Sequence, residues 1–239
     1  MPGSARTSVE GVPEYTVVDA LAADMSAAEH QELLAQLAPI HGRYFPSYPH
    51  VLDELEQQAL IGEPPSGERV HAFVVFRDGL PVGEWVMAVD RRAEVIMMLF
   101  GAIHREARID LDRGYLIRLV DALLERCAAA AADDGEDIVA VILESDGPHL
   151  ARWHELGFFT ADADYREPIH GRHWSQHGEP SFFDRYSACV RPWGRGREMA
   201  RSALAERALT ALLVDHYGLP PDHPQVVRSL QAAANLSDD

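Results

Sequence analysis

The sequence predicts an α/β (α+β) chain, a mixed β-sheet with helices packed on it and a C-terminal helical extension. Three observations carry this. Apolar runs of strand length alternate with helical stripes through the middle of the chain, as in a sheet covered by helices. Hairpin signals flank that alternation, the clearest being Asp78-Gly79. The last forty or so residues carry only helical spacing.

Residues 1–14 read as a flexible leader. Ser26 is an N-cap candidate with Glu29 three residues on, the spacing of a capping box. Leu33, Leu34, Leu37 and Ile40 then form one apolar stripe. The two prolines of RYFPSYP (43–49) end that helix, and a second is expected over 50–61, followed by a loop at 62–68. VHAFVVFR (70–77) and PVGEWVMAV (81–89) are the arms of the hairpin. AEVIMMLFGAI (93–103) is long, apolar and bounded by charge, so it reads as a buried central strand. After a charged loop at 104–113, a helix is expected over 114–132, with Leu116, Leu119, Val120, Leu123, Leu124 and Cys127 on one face. Asp133-Asp134-Gly135 ends it. A strand at 137–144, a helix at 148–156, a strand near 158–166, a loop (EPIHGRHWSQHGEP) and a strand at 181–191 follow. PWGRGRE reads as a hinge, and 197–217 and 223–234 as helices.

The 239 residues suit one domain with extensions, and 47% apolar content argues against wholesale disorder. Net charge is −17 and every basic side chain is Arg, which disfavours general nucleic-acid binding. The absence of Lys excludes a Schiff-base or P-loop lysine. No apolar run approaches the ~20 residues of a membrane span. Cys127 and Cys189 form neither a disulfide framework nor a metal-ligand pattern. Cytosolic residence without a membrane partner is the expectation.

The order helix-helix, hairpin, long strand, helix, strand, helix, strand-loop-strand resembles the GNAT superfamily of N-acyltransferases. FRDGLPVGEWVM is similar to that family's second hairpin, AIHREAR to the end of its fourth strand, and RWHELGF to its penultimate helix. The resemblance covers residues 15–191, leaving 192–239 as the extension. It implies a splayed sheet, acetyl-CoA or another acyl-CoA as donor, a small amine as acceptor, and no metal. It places the donor at Ile103, Arg108, Arg113, Gly114 and Tyr115. There the chain departs from the family's Arg and Gly pattern. Either Arg108 keeps the arginine ahead of a longer loop, or Gly114 keeps the first glycine while Leu111 and Leu116 replace the arginine and second glycine. Asp110 and Asp112 sit beside those arginines, leaving a net charge of +1 over residues 104–118 with His neutral. Trp153 stands where many members carry a Tyr acid, so a water, Tyr115 or Tyr165 would have to protonate the thiolate.

An ammonium acceptor must lose a proton before attack, so a carboxylate or His near the site is needed. Glu144 at a strand exit, Glu84 in mid-strand and His104 at the end of the central strand are the catalytic candidates. Tyr165, His170, His173 and Trp174 are the acceptor-binding candidates, the last three in the His-rich loop. Two other readings remain open. One is a non-catalytic ligand-binding or scaffold protein of the same fold, and the other is a metal enzyme using His170, His173 and His177. The tail stripe Leu204, Leu209, Leu212, Leu213 and Tyr217 suits packing on its own domain or on a second subunit, and a homodimer is the expected assembly.

Overall fold

The computed structural model describes residues 7–9, 12–61, 67–108, 114–169, 171–178, 180–183 and 186–237. Its strands are β1 (Thr7–Val9), β2 (Val12–Asp19), β3 (Glu68–Arg77), β4 (Leu80–Asp90), β5 (Val95–Ile103), β6 (Ala140–Asp146), β7 (Phe159–Asp162), β8 (Glu167–Pro168), β9 (Phe182–Phe183) and β10 (Tyr186–Pro192). Its helices are α1 (Ala27–Tyr44), α2 (His50–Ile61), α3 (Tyr115–Asp133), α4 (Gly147–Glu155), α5 (Arg201–Thr210) and α6 (Pro224–Ala234). Eight strands form one mixed sheet in the order β1-β2-β3-β4-β5-β6-β10-β7, and β8 and β9 form a separate hairpin. The chain divides into two compact units.

The first unit draws on residues 1–65, 69–88 and 99–130. Its α1 starts as expected. The Ser26 hydroxyl accepts from the Glu29 amide at 3.4 Å, and the Glu29 carboxylate accepts from the Ser26 amide at 2.8 Å. Leu33, Leu34, Leu37 and Ile40 are buried, and Leu33, Leu34 and Leu37 join Val18, Leu55 and Phe76 in the core. Two further buried residues on α1 are histidines, His30 and His41. The Asp78-Gly79 turn has φ of 53° and 80°, the left-handed pair of a two-residue hairpin. Gly83 of β4 lies so close to β5 that a Cβ would meet the Ala102 carbonyl oxygen at 2.6 Å. On α3, Leu119, Val120, Leu123, Leu124 and Cys127 are fully buried. One expectation fails here: Thr7–Val9 and Val12–Asp19 are paired strands, so these residues do not belong to a flexible leader. Tyr15 explains part of this ordering, since it is fully buried and its hydroxyl donates to the Ala107 carbonyl at 2.7 Å.

The second unit draws on residues 66–68, 89–98 and 131–239. Here β5 and β6 run parallel, from Val95 opposite Ala140 to Met98 opposite Leu143. Glu144 is the next residue of β6, and it stays paired on its other side, opposite Ala188 of β10. Gly157, at φ 84°, follows α4 and turns the chain into β7. The PWGRGRE segment is a short 3₁₀ turn over Gly194–Glu198 rather than a loose hinge, and the Trp193 amide ties it to the Val139 carbonyl at 2.8 Å. The His-rich loop also contains a 3₁₀ turn, Gly171–His177. In the extension, α5 passes into a π-helical turn, Ala211–His216. Leu204, Leu209, Leu212, Leu213 and Tyr217 are all buried within the single chain, so the stripe packs on its own unit. Both cysteines are buried free thiols.

Candidate functional site

In the second unit, Glu144 is held by tyrosines that the sequence places far away. The Tyr217 hydroxyl donates to Glu144 Oε2 at 2.8 Å across 73 residues of chain. The π-helical turn sets this up, because its extra residue per turn ends the helix with Tyr217 facing β6. The fully buried Tyr165 hydroxyl lies beside the same carboxylate. Neither that hydroxyl nor Glu144 Oε1 has a hydrogen-bond partner of good geometry, although both atoms are shut off from solvent. Glu144 as a residue is half-buried, while its Oε1 is not exposed.

Burial dominates the electrostatics of this group. It pushes the Glu144 carboxyl up to about 7, against the two phenols that favour the anion. Both phenols are driven well above their ordinary value, by burial first and then by the neighbouring carboxylate, so they remain protonated. The cluster thus holds a carboxyl that exchanges its proton near neutrality, with hydroxyl groups around it. That is the protonation behaviour a general base needs.

The His-rich segment attaches to the same part of the extension. Trp174 Nε1 donates to the Tyr217 carbonyl at 2.7 Å, and Arg172 pairs with Glu68 at 2.9 Å. His216, the residue before Tyr217, lies 3.3 Å from Glu68. Burial opposes ionisation of Glu68, but His216 and Arg172 outweigh it and hold the carboxyl below its ordinary range. Trp174 therefore anchors backbone, and His173 lies near Gln176 at 3.1 Å. His170 and Glu179 lie outside the described residues. Among the described residues no group of three or more His, Cys, Asp and Glu is placed to hold a metal.

A separate cleft of about 770 Å³ opens in this unit, lined in part by Asp164, Arg166, Phe182, His223 and Arg228. It contains none of the residues singled out from sequence. Its Arg228 is engaged with Asp162 and the Asp164 carbonyl.

In the first unit, Glu84 is fully buried in β4 and pairs with His41 at 3.2 Å. His104 Nδ1 lies 3.1 Å from the Tyr44 hydroxyl. The expected donor residues also fall here. Ile103 is core, and Tyr115 is buried and stacked on Tyr15 at 6.5 Å, so its side chain packs rather than binds. Arg108 ends an exposed 3₁₀ turn, and Gly114 immediately precedes α3. Arg113 and the rest of 109–113 lie outside the described residues. Trp153 is half-buried edge-on to Phe158 at 5.7 Å, in the second unit.

Sequence reasoning missed His41 and the role of Tyr217. The available signal for His41 was its position four residues after Leu37, a polar residue on the apolar stripe.

No protein-family model matches the sequence, and no curated protein sequence matches it. Solved structures do. A protein of Bacteroides thetaiotaomicron assigned to the GNAT acetyltransferase family aligns with a TM-score of 0.53 at 17% identity, over 82% of this chain and 97% of that one. A GNAT-family acetyltransferase of Elizabethkingia anophelis with acetyl-CoA bound aligns with a TM-score of 0.46 at 10% identity, over 75% of this chain and 99% of that one.

Proposed function

We propose that this chain, which has the GNAT fold, is a divergent acyl-CoA-dependent N-acyltransferase acting on a small amine or amino-acid-like acceptor. The observation that carries the reading is Glu144, a carboxyl with one oxygen bonded, one oxygen buried and unpartnered, and a proton exchanged near pH 7. It stands at the first β6 residue past the parallel pairing with β5.

The donor, with acetyl-CoA as the proposed case, supplies an acyl thioester. The chain's residues do the rest. Glu144 takes a proton from the acceptor ammonium, directly or through a water, leaving a free amine to attack the acyl carbon. For the donor's phosphates, the residues that fit are Arg108 and the amides at the start of α3 after Gly114, where a helix N-terminus favours anions. Tyr165 and His173 belong to the acceptor side of this reading. The reading includes cytosolic residence, and no described helix is long and apolar enough to cross a membrane.

The test is release of free thiol from acetyl-CoA over a panel of small amines, read beside the thermal shift with acetyl-CoA alone. Amine-dependent release supports the reading. No release and no shift at millimolar acetyl-CoA refutes it and selects the non-catalytic alternative, which the packed Trp153 favours because an indole offers no usable acid.

A further inference from the structure

The cleft of about 770 Å³ in the second unit plays no part in the chemistry assigned to Glu144. Its volume lies in the range of small-ligand sites, roughly 300–1,000 Å³. The turn after β7, Phe182 of β9 and the start of α6 line it. Because α6 belongs to the extension, the cleft is built partly outside the stretch that resembles the N-acyltransferases.

The donors in its lining are fixed by their neighbours. Arg228 bonds the Asp162 carboxylate at 3.4 Å, Gln225 Oε1 at 3.2 Å and the Asp164 carbonyl, all through Nη2. Its Nε and Nη1 carry no bond among the described residues, so one edge of a held guanidinium is left for another acceptor. Asp162 is buried and also accepts from the Ser229 hydroxyl at 2.6 Å, so it braces Arg228 from inside. His223 is the N-cap of α6, and its Nδ1 accepts from the Gln225 amide at 3.1 Å. The ring hydrogen is then on Nε2, which is a second donor. The Phe182 ring lies 5.6 Å from that imidazole, centroid to centroid.

The helix terminus adds little of its own. Pro224 has no amide hydrogen, and the Gln225 and Val227 amides are taken by His223. The site therefore rests on side chains. Of the charged groups in the described lining, Arg166 and Arg228 are positive and the exposed Asp164 is negative. That is a local positive excess in a chain of net charge −17.

We propose that this cleft binds a small aromatic carboxylate. The carboxylate accepts from the Nε and Nη1 edge of Arg228 and from His223 Nε2, and the ring lies against Phe182 and Pro224. No covalent bond is made or broken. The site stands whether or not the chain transfers acyl groups.

Fluorine NMR of 4-fluorobenzoate titrated with the folded chain tests it. The expected result is saturable binding that weakens with added salt and is displaced by benzoate. Benzamide, the neutral isostere, and acetate, which lacks the ring, each displace it at least about tenfold less well. Arg228→Lys keeps a charge beside Asp162 but loses the fork, and weakens binding about tenfold. His223→Asp keeps a capping side chain but puts a carboxylate where the donor stood, with a loss of at least about tenfold. Phe182→Leu narrows the preference for benzoate over acetate. Glu144→Gln binds like the parent chain, so failure of the acyltransfer reading leaves this result intact. No saturable binding to the folded chain, benzamide equal to benzoate, or unchanged binding in either Arg228→Lys or His223→Asp overturns the proposal.

Discussion

The two units solve one problem in different ways. Each buries a strand glutamate with one oxygen bonded and the other unpartnered. In the second unit the bonded oxygen of Glu144 meets a phenol, which stays protonated and only donates. In the first, Glu84 meets an imidazole that carries or yields a proton. Burial raises both carboxyls. Glu84 and His41 titrate as one pair. The partner's chemistry, more than the depth of burial, separates the two carboxyls.

Substituting each glutamate breaks the comparison most sharply. Glu144→Gln is expected to lower kcat for amine acylation by about 10²-fold or more, the usual range for loss of a general base. Glu84→Gln should change kcat less than tenfold. Steady-state assays of both variants decide, and equal losses would erase the distinction.

Stability against pH separates the two next. The folded pKa of Glu144 is raised, so the native state keeps a proton that the unfolded chain gives up. Stability is therefore present below the ordinary carboxylate range and lost as pH rises through about 7. His41 is also raised: burial lowers it, but Glu84 outweighs burial. Its contribution is lost at higher pH, above the ordinary histidine range. Denaturant titrations across pH should show Glu144→Gln flattening the lower window, and Glu84→Gln flattening the upper one together with the part of the lower one that the raised Glu84 carboxyl supplies.

Removing the Tyr217 hydroxyl is a smaller change. Tyr217→Phe takes away a bond that favours the Glu144 anion, worth roughly 1 kcal/mol. The acid limb of the pH–rate profile should move up by as much as about one unit. A purely structural role for Tyr217 would lower stability without moving that limb. Smallest is Ser26→Ala, which removes the cap of the helix carrying His41. A loss of about 1 kcal/mol in denaturation is expected, with acylation unchanged.

Much of the scaffold was legible because its signals are local. The Ser26 and Glu29 spacing, the Asp78-Gly79 turn and the apolar run of β5 each fix their element within a few residues. Glu144 and Glu84 were legible as carboxylates in strands. Their partners were not, because His41 and Glu84 are 43 residues apart and Tyr217 reads as one more apolar position in a helical stripe. The π-helical turn that aims Tyr217 has no sequence period to betray it. The His-rich segment suggested metal or substrate by composition, whereas its Trp174 and Arg172 are tied to the extension and Glu68.

In the proposed reaction Glu144 takes the acceptor's proton in acyl transfer. The most direct measurement is the pH dependence of kcat/KM for acetyl-CoA-dependent acylation of an amine, in the parent chain and in Glu144→Gln. The expected result is a rate that rises with pH through a limb near 7 and a variant in which that limb is gone. The same limb at the same pH in both proteins would contradict it.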